Sequence, residues 1–351
     1  VNKLTGFGTT LDQARVQLDR KPGAWALQLD SQQVKGNVGL PDAKGAPIAV
    51  NLQFVRLPAP DPKVQADENA PDPLAAVDPT KVPALDLNIA QLFQGKDLLG
   101  AWTLKVRPTA KGLAFNSMSL GLKGMQLQGA GGWEGVPGAS NSWIKGRLEG
   151  KNLADVLQGW GFAPTVTSEN FHVDIDGRWP GSPAWVGLKR YSGSLDASLN
   201  KGQMVEVEGG AQALRVFGLL NFNSIGRRLR LDFSDLFGKG LSYDRVKGLL
   251  VASNGVFVTR EPIILTGPSS NLELNGTLDM AADRIDAKLL VTLPLTNNLP
   301  IAALIVGAPA VGGALFLIDK LIGDRVARFA SVKYTVQGPV KEPKITFEKP
   351  F

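Results

Sequence analysis

The stretch FHVDID, residues 171–176, sets His172, Asp174 and Asp176 at alternate positions. On a strand that spacing puts all three on one face, and a histidine with two carboxylates is the beginning of a metal site. No fourth ligand completes the set. Phe171, Val173 and Ile175 occupy the opposite face, so the simpler reading is a polar outer face backed by an apolar inner one. Gly238-Lys239-Gly240 lacks the GxxxxGK[ST] spacing and the strand-to-helix context of a phosphate loop, and reads as a turn. No Ser, His and Asp set has the context of a nucleophile elbow. Asn275-Gly276-Thr277 has the form of a glycosylation sequon, which a glycine in strand register already explains. One His and no Cys in 351 residues leave little acid–base or thiol chemistry. These readings give no catalytic residue, no metal and no cofactor, and the chain reads as a non-enzyme.

The elements that carry these residues are strands. Alternation of period two dominates. In RRLRLDF it places Leu229, Leu231 and Phe233 opposite Arg228, Arg230 and Asp232. In NLELNGTLDM it aligns Leu272, Leu274, Leu278 and Met280, and in RIDAKLLVTL it aligns Ile285, Ala287, Leu289, Val291 and Leu293. Val205, Val207, Leu250, Ile263 and Leu265 extend the same apolar set. Turn signals separate the runs: Lys21-Pro22-Gly23, Gly95-Lys96-Asp97, Ser253-Asn254-Gly255, Gly267-Pro268 and Ala282-Asp283. Short turns between successive strands enforce antiparallel pairing. The expected fold is mainly β: a long, curved antiparallel sheet forming a U-shaped apolar groove, with a few short helices near the C-terminal end. Helical spacing marks residues 152–162, 211–222 and 234–238. The seven tryptophans, all at or before residue 185, read as core or sheet-face residues.

Residues 58–83 are of another kind, with seven prolines among Asp and Ala. They read as a surface loop or linker between N-terminal strands at 1–57, which would continue an upstream groove, and a larger β-groove domain at 84–351. The chain opens on Val1 in sequence that already looks like mid-strand, which suggests a piece of a longer or processed protein. The net charge of +6 is spread along the chain, without the clustered basic and aromatic residues of a nucleic-acid module.

From Leu289 to Ile318 there is no charged side chain. A single helix over 299–318 would match a bilayer core in length, about 30 Å. Pro309 in its middle and Gly307, Gly312 and Gly313 argue against it. The spacing favours a short piece before Pro309 and a helix from about Ala310 to Phe329, within an apolar helical segment at 299–329. Val311, Leu315, Phe316, Ile318, Leu321 and Ile322 form its apolar surface, at the membrane interface or as a plug at the end of the groove.

Two blocks carry a family likeness. RLRLDFSDLFGKG and GAPAVGGALFLIDKL occur in order, with GSLDASLNKGQMVEVE before them and NGVFVTREPIILTGPSSNLELNGTLDMAADRID between. This order resembles the C-terminal region of the YhdP-type, AsmA-like envelope proteins, over roughly the last two hundred residues. The resemblance implies a bridge-like lipid transfer protein of the Gram-negative envelope. Its inner-membrane anchor would lie upstream of this chain, its β-groove would cross the periplasm, and its C-terminal end would be near the outer membrane. Implied partners are phospholipid acyl chains, outer-membrane lipids and an envelope protein. The groove would be lined by the residues at 205–293 named above.

A groove lining needs apolarity and no motif. Each buried CH₂ gains about 0.8 kcal/mol, so a ~16-carbon tail gains about 12 kcal/mol by staying out of water. The alternative from the residues alone is a sandwich-like sheet with a dry core, a structural or assembly module that docks a partner protein.

Overall fold

The computed structural model describes residues 3–6, 9–12, 14–59, 70–205, 240–268, 270–295, 316–322, 325–340 and 343–347. The protein is mainly β, as the alternation predicts. Two compact units divide it, residues 1–149 with 175–190, and residues 150–174 with 191–351.

The first unit begins with a small hairpin, β1 (Lys3–Gly6) and β2 (Thr9–Asp12). Its sheet runs β3 (Arg15–Lys21), β4 (Ala24–Asp30), β5 (Val34–Pro41), β6 (Ile48–Leu57), β7 (Leu85–Gln94), β8 (Asp97–Thr109), β9 (Gly112–Leu122) and β10 (Met125–Val136), each paired with the next. β11 (Ala139–Gly150) and residues 175–180 of β12 (Asn170–Pro180) follow. All the pairings from β3 to β10 are antiparallel except β6 with β7, which is parallel. A parallel pair needs a long crossover, and the proline-rich stretch supplies it.

The sheet bends by identifiable devices. Register shifts interrupt the β5–β6, β7–β8, β8–β9 and β9–β10 ladders. Each added residue kinks its strand and increases local twist. Gly100 and Gly121 face each other across β8 and β9. A Cβ on Gly100 would lie 2.7 Å from the Gly121 Cα, and one on Gly121 would lie 2.8 Å from the Gly100 Cα. Only paired glycines allow the two backbones that approach.

Part of the crossover is built into this unit. Asp72 accepts hydrogen bonds from the Ser182 amide (2.7 Å), the Ser182 hydroxyl (2.5 Å) and the Leu74 amide (2.9 Å). The Trp185 indole donates to the Ala70 carbonyl (2.8 Å), and the Gly138 amide donates to the Ala75 carbonyl (2.8 Å). A 3₁₀ turn at Pro79–Lys81 follows, capped by Asp78 through the Thr80 amide. Residues 70–84 are therefore a strap, with Pro79 and Ala84 buried.

The second unit contains α1 (Leu153–Gly159), capped by Asn152, whose side chain accepts from the Ala154 amide. It is the one α-helix among the described residues, and it lies within the expected span of 152–162. The candidate helices at 211–222 and 234–238 lie outside the described residues. The strands are β13 (Ser192–Val205), β14 (Gly240–Ser253), β15 (Val256–Thr266), β16 (Asn271–Asp279), β17 (Arg284–Leu295), β18 (Phe316–Ile322), β19 (Arg325–Pro339) and β20 (Lys344–Phe347). β13 to β17 form an antiparallel meander, and β19 pairs with β17 along 284–295. On its other side β19 pairs with β18 through residues 325–331 and with β20 through residues 334–337.

This corrects the helix expected from about 310 to 329. Phe316, Ile318, Leu321 and Ile322 lie on strand β18, and residues 325–329 begin β19. Val311 and Leu315 lie outside the described residues. The physical reason is in the sequence. Gly323 would fall inside the proposed helix at a cost of about 1 kcal/mol. Gly-Asp between two runs rich in Ile, Phe and Val is instead a two-residue hairpin signal. Ile322 pairs with Arg325 and Asp319 with Arg328, as such a hairpin requires. Among the described residues no helix is long and apolar enough to cross a membrane.

Candidate functional site

Residues directly opposite each other on paired strands project to the same face. In the first unit that rule traces an unbroken apolar row. Val16 faces Leu29, then Gly36, Leu52, Ile89, Trp102, Leu120 and Leu127, from β3 to β10. A second row, Leu18, Leu27, Val38, Val50, Leu87 and Leu104, runs beside it from β3 to β8. Shifted by one residue lies a polar row: Gln17, Gln28, Asn37, Asn51, Asn88, Thr103, Ser119 and Gln128. One face of the sheet is therefore aliphatic and the other carries amides and hydroxyls.

The aliphatic face is unevenly covered. Leu18 is 54% exposed, and Val16, Trp25 and Leu40 are also exposed. Leu27, Val38, Val50, Leu52 and Leu87 are half-buried. Beside the two rows, in the row through Leu85, the face is closed: Val106, Leu113 and Trp133 form a buried cluster, with Val82 of the strap and Leu85 packed against it. At the open end, Arg20 makes a two-pronged ion pair with Asp42 (2.7 and 2.6 Å) and lies 5.2 Å from the Trp25 ring centre.

The second unit has a matching row in a different state. Leu199, Val246, Leu265, Leu272, Val291 and Val332 face one another from β13 to β19. Ile263, Leu274, Leu289 and Tyr334 form the next. Here Leu265, Leu272, Ile285, Leu289 and Val291 are buried in one core cluster. Leu153 of α1 packs against it, and Val166, bridged to Met204, is part of it. Tyr243 anchors this cover: its ring is in the cluster and its hydroxyl donates to the Thr167 carbonyl. Burial pushes the Tyr243 phenol up to about 12.

Of the residues expected to line a groove, Leu265, Leu272, Ile285, Leu289 and Val291 share one buried cluster of the second unit. Leu250, Ile263, Leu274 and Leu278 are half-buried, and Leu274 and Leu278 pack on the cluster. Val205 and Leu293 lie on β13 and β17, with side chains outside the described residues. Val207, Leu229, Leu231 and Phe233 lie outside the described residues altogether. For the first unit the expectation extended only to strands at 1–57 that continue a groove, and none of the residues of its open face was singled out. The signal was present in WALQL, VNLQF and LDLNIAQLF, which alternate as plainly as the later strands.

Polar alternatives are occupied otherwise. Among the described residues no three His, Asp or Glu side chains converge as a metal cluster, and Asp176 pairs with Lys145 (3.4 Å). A polar depression in the second unit is lined by Glu169, Asn170, Asn200, Lys201 and Arg245. Its groups engage each other: Lys201 pairs with Glu169 (3.5 Å) and Asn200 donates to Asn170 (2.7 Å). In the sequon, a Cβ on Gly276 would strike the Asp286 carbonyl and the Ala287 backbone, and the Gly276 amide donates to Thr259 Oγ1 (2.9 Å).

The fold and the face define a mainly β protein whose first sheet carries an extended, partly open aliphatic surface and offers no assembled reaction centre among the described residues. The sequence matches the YhdP protein family over residues 1–345, and the chain belongs to that family. It is similar to the intermembrane phospholipid transporter YhdP of Escherichia coli strain K12, with 25% identity over 220 residues. That alignment covers 63% of this chain and 17% of the relative, so the chain spans a small part of the relative's length. No solved structure matches.

Proposed function

We propose that this chain carries phospholipids, non-enzymatically, along an apolar sheet face, as the outer-membrane-proximal part of a groove that crosses the periplasm between the two membranes. The observation that carries the reading is the pair of in-register aliphatic rows on β3–β8, backed by a polar row and left partly uncovered. A face of this kind accepts any saturated hydrocarbon. It holds a tail by removing CH₂ groups from water, at about 0.8 kcal/mol each, and asks for no particular partner group. A ligand held only by such contacts slides at little cost, because each step exchanges one aliphatic neighbour for another. Membership of the YhdP family and the phospholipid transport named for its relative support the choice of cargo.

The test is a charge placed in the path. Val50→Asp, on a half-buried site, introduces a group that costs several kcal/mol to desolvate beside an acyl chain. Transport of labelled phospholipid between membranes should fall at least tenfold while the protein accumulates normally. Undiminished transport by a folded Val50→Asp protein overturns the reading.

A further inference from the structure

The two units carry similar aliphatic rows and treat them oppositely. In the first, the two rows begin exposed at Val16 and Leu18 and are half-buried at Leu27, Val38, Val50, Leu104 and Leu120, and the neighbouring row through Leu85 is buried at Val106. In the second, the corresponding cluster is closed by its own chain, with Val291 and Val336 at 0% exposure and Tyr334 at 1%.

We infer that the acyl chains ride on β3–β6 of the first unit, that the strap of residues 70–84 walls one side of the face they follow, and that the packed face of the second unit is no part of their path. This rests on the lipid-carrying reading above and specifies its site. Three observations carry it. First, the exposed Val16 and Leu18 and the half-buried Leu27, Val38, Val50 and Leu52 are linked by strand register, so the open stretch is one continuous surface. Second, that stretch is aliphatic, with Trp25 at its rim and no polar group needing a partner on the two rows, which suits an unbranched hydrocarbon. Third, the face has a built wall along one side. Val82 packs on Val106, Leu113 and Trp133, and the strap is pinned through Asp72 to Ser182, whose exposure is 0%. Trp179 donates to the Ser182 carbonyl (2.9 Å), fixing the pin from its other side. In the second unit a lipid would have to displace α1 and the Tyr243–Thr167 hydrogen bond to reach Leu289.

The experiment is a crosslinking map in the intact protein in its own cells. A photo-reactive amino acid is placed singly at Leu18, Leu27 and Val50, at Leu113 under the strap, and at the half-buried Leu274 and Leu278 of the second unit. Phospholipid adducts are counted by mass spectrometry after illumination. Adducts at the first three sites should exceed those at the other three at least tenfold. Equal adducts at Leu274 and Leu278 overturn the inference and leave the lipid reading standing. No lipid adduct at any site overturns the lipid reading itself, and protein adducts at Leu18 and Leu27 in place of lipid overturn both. A paired substitution guards against misfolding, because both positions are exposed: Leu18→Asp (54% exposed) should lower transport at least tenfold and Ile264→Asp (41% exposed) should leave it unchanged. The reverse pattern refutes the assignment.

Discussion

Asp72 and Ser182 stand 110 residues apart in the chain, and one carboxylate of Asp72 takes both the amide and the hydroxyl hydrogen of Ser182. The contact turns a proline-rich crossover into a fixed strap. Charge-assisted hydrogen bonds of this kind contribute about 1.5–3 kcal/mol before solvent screening, and Asp72 is only half-buried. Asp72→Ala should therefore destabilise the first unit by about 1–2 kcal/mol. It should also raise the rate of proteolytic cleavage within residues 58–84. Limited digestion followed by mass spectrometry reads both the rate and the site.

The same contact sets a pH dependence. Burial works to raise the Asp72 carboxyl; the hydrogen bonds from Ser182 and Leu74 and the charge of Arg190 outweigh it and hold the group below its ordinary value of 3.8. A lowered folded-state value means the contribution is whole above the unfolded-state value and is lost as pH falls through the folded one. Protease resistance of the strap should hold at neutral pH and decline below about pH 4. In Asp72→Asn that acid-induced decline should be smaller.

Tyr243 gives the opposite sign. Its phenol is raised to about 12 from an ordinary 10.0 by burial. The stabilisation is complete below pH 10 and fades as pH rises towards 12. The chain has three tyrosines, so ultraviolet titration of tyrosinate can resolve one that ionises late. Tyr243→Phe should remove the late step and cost about 1 kcal/mol through the lost bond to Thr167.

Leu289 separates a lining residue from a core residue. At 4% exposure, an aspartate there would be buried without a partner. Leu289→Asp should unfold the second unit, by several kcal/mol, where a groove-lining site would fold and only block transport. Thermal denaturation with the transport assay distinguishes these outcomes.

Much of the fold was legible because a strand's period of two is short-range information. The runs at 271–280 and 284–293 became β16 and β17, and Leu272, Leu289 and Val291 share a buried face as their spacing implied. Asn152 announced α1 by its capping chemistry. Other features depend on partners that no local window contains. The parallel pairing of β6 with β7 is decided by where the chain re-enters the sheet after residue 84. The strap is decided by Ser182 and Trp185, remote from 58–83. At 316–329 the apolar run favoured a helix in isolation, and β19, already paired with β17 on one side, offers a free edge for β18. Burial was the least legible property. The alternation at 16–52 and at 272–291 is alike, yet one face is partly open and the other is closed over by Leu153, Val166 and their neighbours.

The central claim is that the aliphatic face of the first unit holds phospholipid. Native mass spectrometry of the gently purified protein, compared with a folded Val38→Lys, Val50→Asp variant, tests it most directly. The account predicts bound phospholipid on the unaltered protein and its loss from the variant. Lipid-free unaltered protein, or equal lipid on both, would contradict it.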